Sequence, residues 1–132
     1  MQQNKSESTV SPASYKEKVK FLVQWLEEKQ GEDIVAIDVT GLCMVTDAML
    51  VVTAQTRRHA KALADHMLAR AGESGFEYLG MEGYANAIWI LVDLNDVLVH
   101  IFQKDERRTY DIEGLWSEGK TLHAPAEEAE RK

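Results

Sequence analysis

The chain has 132 residues, of which 45% are apolar and 28% charged, with a formal net charge of −7. That length suits one domain built on one core, and the composition argues against a disordered or membrane-spanning chain, since no apolar run approaches the roughly 20 residues of a spanning helix. Residues 1–14 balance their charges and residues 117–132 carry four glutamates against Lys120, Arg131 and Lys132, so −6 falls on the body; this disfavours contact with a phosphate backbone and direct nucleic-acid readout, and favours a basic partner surface.

The first 14 residues are polar, with neither an apolar signal core nor an Arg-rich amphipathic pattern, and they are expected to form a flexible leader with the cytoplasm as the default location. Cys43 is the single cysteine; an internal disulfide and a Cys-based zinc site are thereby excluded, which fits a reducing compartment. Tyr15, Val19, Leu22 and Leu26 fall at helical spacing, and Ser14 with Glu17 forms a capping pattern, so a helix is expected over about 15–30 with Gly31 as its left-handed stop. The β-branched run 34–39 predicts a strand buried on both faces, and 48–53 a second.

Thr56 can cap a helix whose Ala60, Leu63, Ala64, Met67, Leu68 and Ala71 make one apolar face ending at Gly72. A weaker strand is expected near 77–81, closed by Gly83. Residues 87–93 and 97–102 then read as a hairpin turning at Asn95-Asp96, a pair that tolerates positive φ. A short helix over 111–116 follows, with residues 118–132 as a loose tail. This order gives an α/β fold: a single domain, residues 15–117, with a mixed β-sheet flanked by helices.

The turn fixes which hairpin residues share a face, because paired side chains do. One face carries Ile88, Ile90, Val92, Val97, Val99 and Ile101, all aliphatic, and belongs to the core. The other carries Trp89, Leu91, Asp93, Leu98, His100 and Phe102. Large aromatics mixed with a carboxylate and an imidazole suit a recognition surface, where Trp anchors are enriched. The alternative is that a terminal segment holding Tyr110 and Trp116 folds over this face and satisfies its polar groups.

Catalysis finds little support. Ser74 and Ser117 are the only serines beyond the leader, and neither sits in a nucleophile elbow. His59 and His66 lie two helical turns apart, too far to share a metal unaided. The stretch Gly80-Met81-Glu82-Gly83 lacks the Lys-Ser/Thr of a phosphate loop. No catalytic residue, metal or cofactor is expected.

The residues Asp33 to Val39, Gly41-Leu42 and Thr46-Asp47, followed by Glu82-Gly83, Trp89, Asp93, Asp96-Val97, Val99-His100, Phe102, Arg107, Tyr110 and Leu115-Trp116, together resemble the ribosomal silencing factor (Iojap-like) family over residues 15–117. The departures are Ala48-Met49-Leu50 where the family has an aromatic, Thr53-Ala54 for Thr-Gly, and Asn95 for glycine. They bear on local turns and on any dimer contact. The resemblance implies a nucleotidyltransferase-like fold without transferase chemistry. It also implies a translation repressor that binds large-subunit ribosomal protein number fourteen and sterically blocks joining of the small subunit when nutrients are scarce. Trp89 would be the apolar anchor, Asp93, Asp96 and Glu82 would meet basic side chains, and His100 and Phe102 would complete the patch with Asp47 nearby. The competing expectations are a degenerate nucleotidyltransferase-like enzyme and a homodimeric adaptor, the free protein being a candidate homodimer.

Overall fold

The structure, a computed structural model, describes residues 14–125, so the leader expected over 1–14 lies outside the described residues except for Ser14. In chain order the elements are α1 (Tyr15–Glu28), β1 (Glu32–Asp38), β2 (Ala48–Ala54), α2 (Arg57–Glu73), β3 (Gly80–Glu82), β4 (Trp89–Asp93), β5 (Val97–Gln103), α3 (Lys104–Tyr110), α4 (Ile112–Leu115) and β6 (Lys120–His123). The strands form one six-stranded sheet in the order β3-β4-β5-β2-β1-β6. Only β2 and β5 run parallel; the other neighbours are antiparallel, which makes the sheet mixed, as the element order required.

Both long helices begin at the caps legible in the sequence. The Ser14 side chain accepts from the Glu17 N–H, and that of Thr56 accepts from the His59 N–H, each satisfying one of the orphan donors of a first turn. Their apolar faces bury Val19, Leu22, Trp25 and Leu26 from α1 and Ala60, Leu63, Ala64 and Met67 from α2 against Leu50, Val52, Ile90, Val92, Val99 and Ile101 of the sheet. The end of α1 differs from expectation. Gln30, not Gly31, is left-handed, at φ 58°. Glycine is needed at 31 for space: a Cβ there would lie 2.8 Å from the Val52 side chain.

The hairpin register is the expected one, Trp89 opposite Phe102, Leu91 opposite His100 and Asp93 opposite Leu98, with Asn95 at φ 77° in the turn. Its first strand is shorter than the 87–93 expected. Ala87 sits at φ 58°, outside strand geometry, and β4 begins only at Trp89; Ile88 is half-buried and absent from the main core. Gly83, at φ 82°, passes so close to the Trp89 carbonyl that a Cβ would meet it at 2.1 Å. The loop before β4 is thus pressed onto the strand that carries Trp89.

The C-terminal segment departs most from its reading. The helix expected over 111–116 is present as α4, but a second short helix, α3, precedes it unforeseen; the two join at Asp111, which is left-handed at φ 47° and caps Gly114 N–H through its own carboxylate. Beyond them, Lys120–His123 is not loose: it pairs antiparallel with β1 as the sheet's edge strand. Residues 126–132 lie outside the described residues.

Candidate functional site

The sheet face turned away from α1 and α2 holds a second, smaller core. Val35, Ile37, Val39, Met49, Val51, Phe102 and Ile112 form it, with Trp89, Leu98, Cys43 and Trp116 packed at its margin. The C-terminal segment supplies Ile112 and Trp116. Part of the mixed face is therefore covered from within the chain, as the alternative reading required, and part remains open.

Alternation along β4 and β5 puts Trp89, Leu91, Asp93, Leu98, His100 and Phe102 on this face, and cover differs among them. Phe102 is fully buried and His100 is 5% exposed. Trp89, Leu91, Asp93 and Leu98 are half-buried. Trp89 lies over the buried pair, its ring centroid 4.9 Å from Phe102 and 5.9 Å from His100. It also meets Tyr110 of α3 at 4.6 Å, and Tyr110 in turn lies 6.3 Å from Phe102; Tyr110 is 53% exposed. The aromatic column thus presents Trp89 and Tyr110 outward and keeps Phe102 as its floor. Phe102, expected to complete a patch, has no exposed surface and lies beneath Trp89 and Tyr110.

His100 is fixed by the same column. The Trp89 Nε1–H donates to His100 Nδ1 at 3.1 Å. An indole nitrogen can only donate, so Nδ1 is the bare nitrogen and the proton sits on Nε2, which has no partner among the described residues. Burial lowers the imidazole's pKa from 6.5 to about 4, so His100 is neutral near pH 7 and helps set the pose of Trp89. The unfolded chain then binds more protons than the folded one between those two values. Stability from this group is fully present above about 6.5 and is lost as pH falls toward 4. Between pH 7 and 5 the loss should be about 2 kcal/mol by linkage. Urea denaturation at the two pH values measures it; His100→Asn, which does not titrate, should flatten that part of the profile.

The acidic residues of the expected site fall in separate places. Glu82 pairs with Leu91, and Gly80 with Asp93, across the β3–β4 ladder, so Glu82 shares the Trp89 face. Glu82, Leu91 and Asp93 line one shallow cleft with Leu79, Gly80 and Met81. Glu82 is exposed, and Asp93 spends one oxygen on the Asn95 N–H at 2.9 Å. Asp47 and Asp96 line a different cleft at the strand ends, with Cys43, Met44, Val45, Thr46 and Asn95.

Asp96 does not wait for a basic partner. Its carboxylate is bonded to Lys18 Nζ of α1, which also donates to the Leu94 carbonyl at 3.2 Å. Lys18 is 3% exposed, and a buried ammonium requires such pairing. The pair ties the hairpin tip to the first helix and leaves the Asp96 side chain 28% exposed. One signal in the sequence bore on this. Lys18 falls on the apolar stripe of α1, between Tyr15 and Leu22, where a lysine needs a partner.

Sequence reasoning left three further residues, Tyr110, Arg107 and Trp116, undecided between bracing and contact. Tyr110 is the outer half of the aromatic column. Arg107 makes a two-pronged bond to Glu113, Nε to Oε1 at 3.1 Å and Nη2 to Oε2 at 2.9 Å, and its Nη1 donates to Thr53 Oγ1 at 2.8 Å. Trp116 packs against the second core. Among the described residues, no group of three or more His, Cys, Asp or Glu is placed to hold a metal ion, and no helix is long and apolar enough to cross a membrane.

Comparison with known proteins extends the picture beyond the face itself. The family model described as "Ribosomal silencing factor during starvation" matches residues 12–132. A Haemophilus influenzae protein named ribosomal silencing factor RsfS is 41% identical over 99 residues, covering 75% of this chain and 97% of that protein. One of the same name from Bacillus subtilis is 40% identical over 92 residues, covering 70% and 78%. A crystal structure of a Chromobacterium violaceum protein superposes with a TM-score of 0.77 at 35% identity, over 80% of this chain and 88% of that one. A Bacillus halodurans crystal structure gives 0.72 at 34% identity, over 81% and 97%. With the match running through both helices, the hairpin and the C-terminal segment, the chain belongs to the ribosomal silencing factor family.

Proposed function

We propose that this protein represses translation by docking on the large ribosomal subunit, through ribosomal protein number fourteen, so that its bulk occupies space the small subunit needs. The observation that carries the proposal is the half-buried Trp89, held between His100 and Tyr110 beside the Glu82–Asp93 cleft. An aromatic anchor of fixed pose with acidic neighbours is suited to a basic protein surface, and the net charge of −7 would steer the encounter in the same sense. Trp89, Tyr110, Asp93 and Glu82 make the direct contacts, with Asp47 at the margin; His100 and Phe102 hold the anchor. The docking unit is the folded body from residue 15, it works in the cytoplasm, and its action belongs to nutrient limitation.

A subunit-joining assay tests this. Large subunits preincubated with the protein and then mixed with small subunits should remain separate on a sucrose gradient. Full joining at saturating protein would refute the repressor reading.

A further inference from the structure

The exposed half of the aromatic column stands on a poorly anchored element. Helix α3 has seven residues, none of them buried, and so short a helix has little stability of its own. Yet it delivers Tyr110 to within 4.6 Å of Trp89. Something outside the hydrophobic core must hold it there.

The geometry points to Arg107 as the positioning residue of the docking face: by clamping Glu113 of α4 and Thr53 of β2, it holds Tyr110 against Trp89. The Arg107 side chain is only 12% exposed although it lies on a helix with no buried residue, and that of Glu113 is 32% exposed. A planar guanidinium bonded to both oxygens of one carboxylate is the strongest and most directional of side-chain ion pairs. Here the same group also reaches the Thr53 hydroxyl, so it joins α3, α4 and the end of a central strand at one point. The Asp111 corner between the two helices adds direction, since its carboxylate caps the Gly114 N–H. Ile112 and Trp116 fix α4 to the second core, whereas α3, which continues directly from β5, has Arg107 and Tyr110 as its side-chain contacts to Thr53 and Phe102 of the sheet.

This inference rests on the docking reading for its functional consequence and is independent of it for its structural one. Arg107 acts through Tyr110 and Trp89 and need not touch the partner. Losing the clamp should leave the column's parts present and their pose unfixed, which costs affinity through ordering on binding.

The test compares Arg107→Met, Glu113→Ala and the double variant in the full chain. Of the three tryptophans, Trp25, Trp89 and Trp116, Trp89 is the reporter and Trp25 the internal control in an NMR hydrogen-exchange measurement of the indole N–H groups. In either single variant the Trp89 indole N–H should shift and exchange faster, with Trp25 in the main core unchanged. Affinity for purified large subunits should fall by about tenfold, the scale of a lost preorganisation, and the double variant should be no worse than either single one, as members of one interaction are not additive. Wild-type affinity and an unchanged Trp89 signal in Arg107→Met would overturn the proposal. So would weakening by Arg107→Met alone with Glu113→Ala intact, which would make Arg107 a contact residue. If the wild type itself does not bind large subunits, the docking reading fails, and the Trp89 signal still decides whether the clamp exists.

Discussion

Replacing Trp89 by alanine should weaken binding to large subunits by about thirtyfold or more, the roughly 2 kcal/mol expected of a central aromatic anchor. The fold should survive. Trp89 lies at the margin of the smaller core and is half-buried, whereas the main core between the sheet and α1 and α2 does not include it. Trp89→Phe should fall between the two, because it keeps a ring against Tyr110 and Phe102 but loses the N–H that meets His100 Nδ1. Far-UV circular dichroism and titration calorimetry against large subunits separate the two effects. An alanine variant that binds as tightly as wild type would remove Trp89 from the site.

Phe102→Ala should behave in the opposite way. Phe102 has no exposed surface and is the floor on which Trp89, His100 and Tyr110 rest. Truncating so large a buried ring costs about 3–5 kcal/mol through lost transfer energy and the cavity left behind. Against a typical domain stability of about 5–15 kcal/mol that is a large share. Chemical denaturation should therefore show a strongly lowered midpoint, and any loss of ribosome binding should follow the loss of folded protein. A Phe102→Ala protein with wild-type stability and impaired binding would return Phe102 to the contact surface. The pair of variants thus distinguishes the residue that meets a partner from the residue beneath it, although the two face each other across the hairpin.

That distinction marks the boundary of what the sequence could tell. Hairpin register was legible because a two-residue turn and strict alternation leave one pairing that buries Ile90, Val92, Val97, Val99 and Ile101 together. Alternation assigns a side chain to a face and says nothing of what lies over it, so Trp89 and Phe102 looked equivalent. The cover comes from α3 and α4, and these were hard to read for a physical reason. Lys104–Tyr110 buries nothing, so it has no apolar periodicity to detect. Its anchor is an ion pair between Arg107 and Glu113, whose spacing of six suits neither a helical nor a strand pattern. Strand β6 was hidden similarly: Lys120, Thr121, Leu122 and His123 carry no alternating apolar pattern, and the strand is held by backbone pairing to β1.

Charge showed the converse. The acidity of the body was counted correctly, but a carboxylate's place in the sequence does not reveal whether it is already neutralised. Asp96 is, by Lys18 from 78 residues away in the chain, whereas Glu82 stands exposed on the β3 edge of the face that carries Trp89. The free acidic contribution to this face is therefore narrower than the count implied and lies toward β3 and β4.

Docking on ribosomal protein number fourteen is tested by site-specific photo-crosslinking. A photoreactive amino acid in place of Leu91, which lies on the open face between Glu82 and His100, would be activated after binding to purified large subunits, and the product identified by mass spectrometry. The expected adduct is with ribosomal protein number fourteen. A protein that co-sediments with the subunit but crosslinks from this position only to ribosomal RNA, or to a different ribosomal protein, would contradict it.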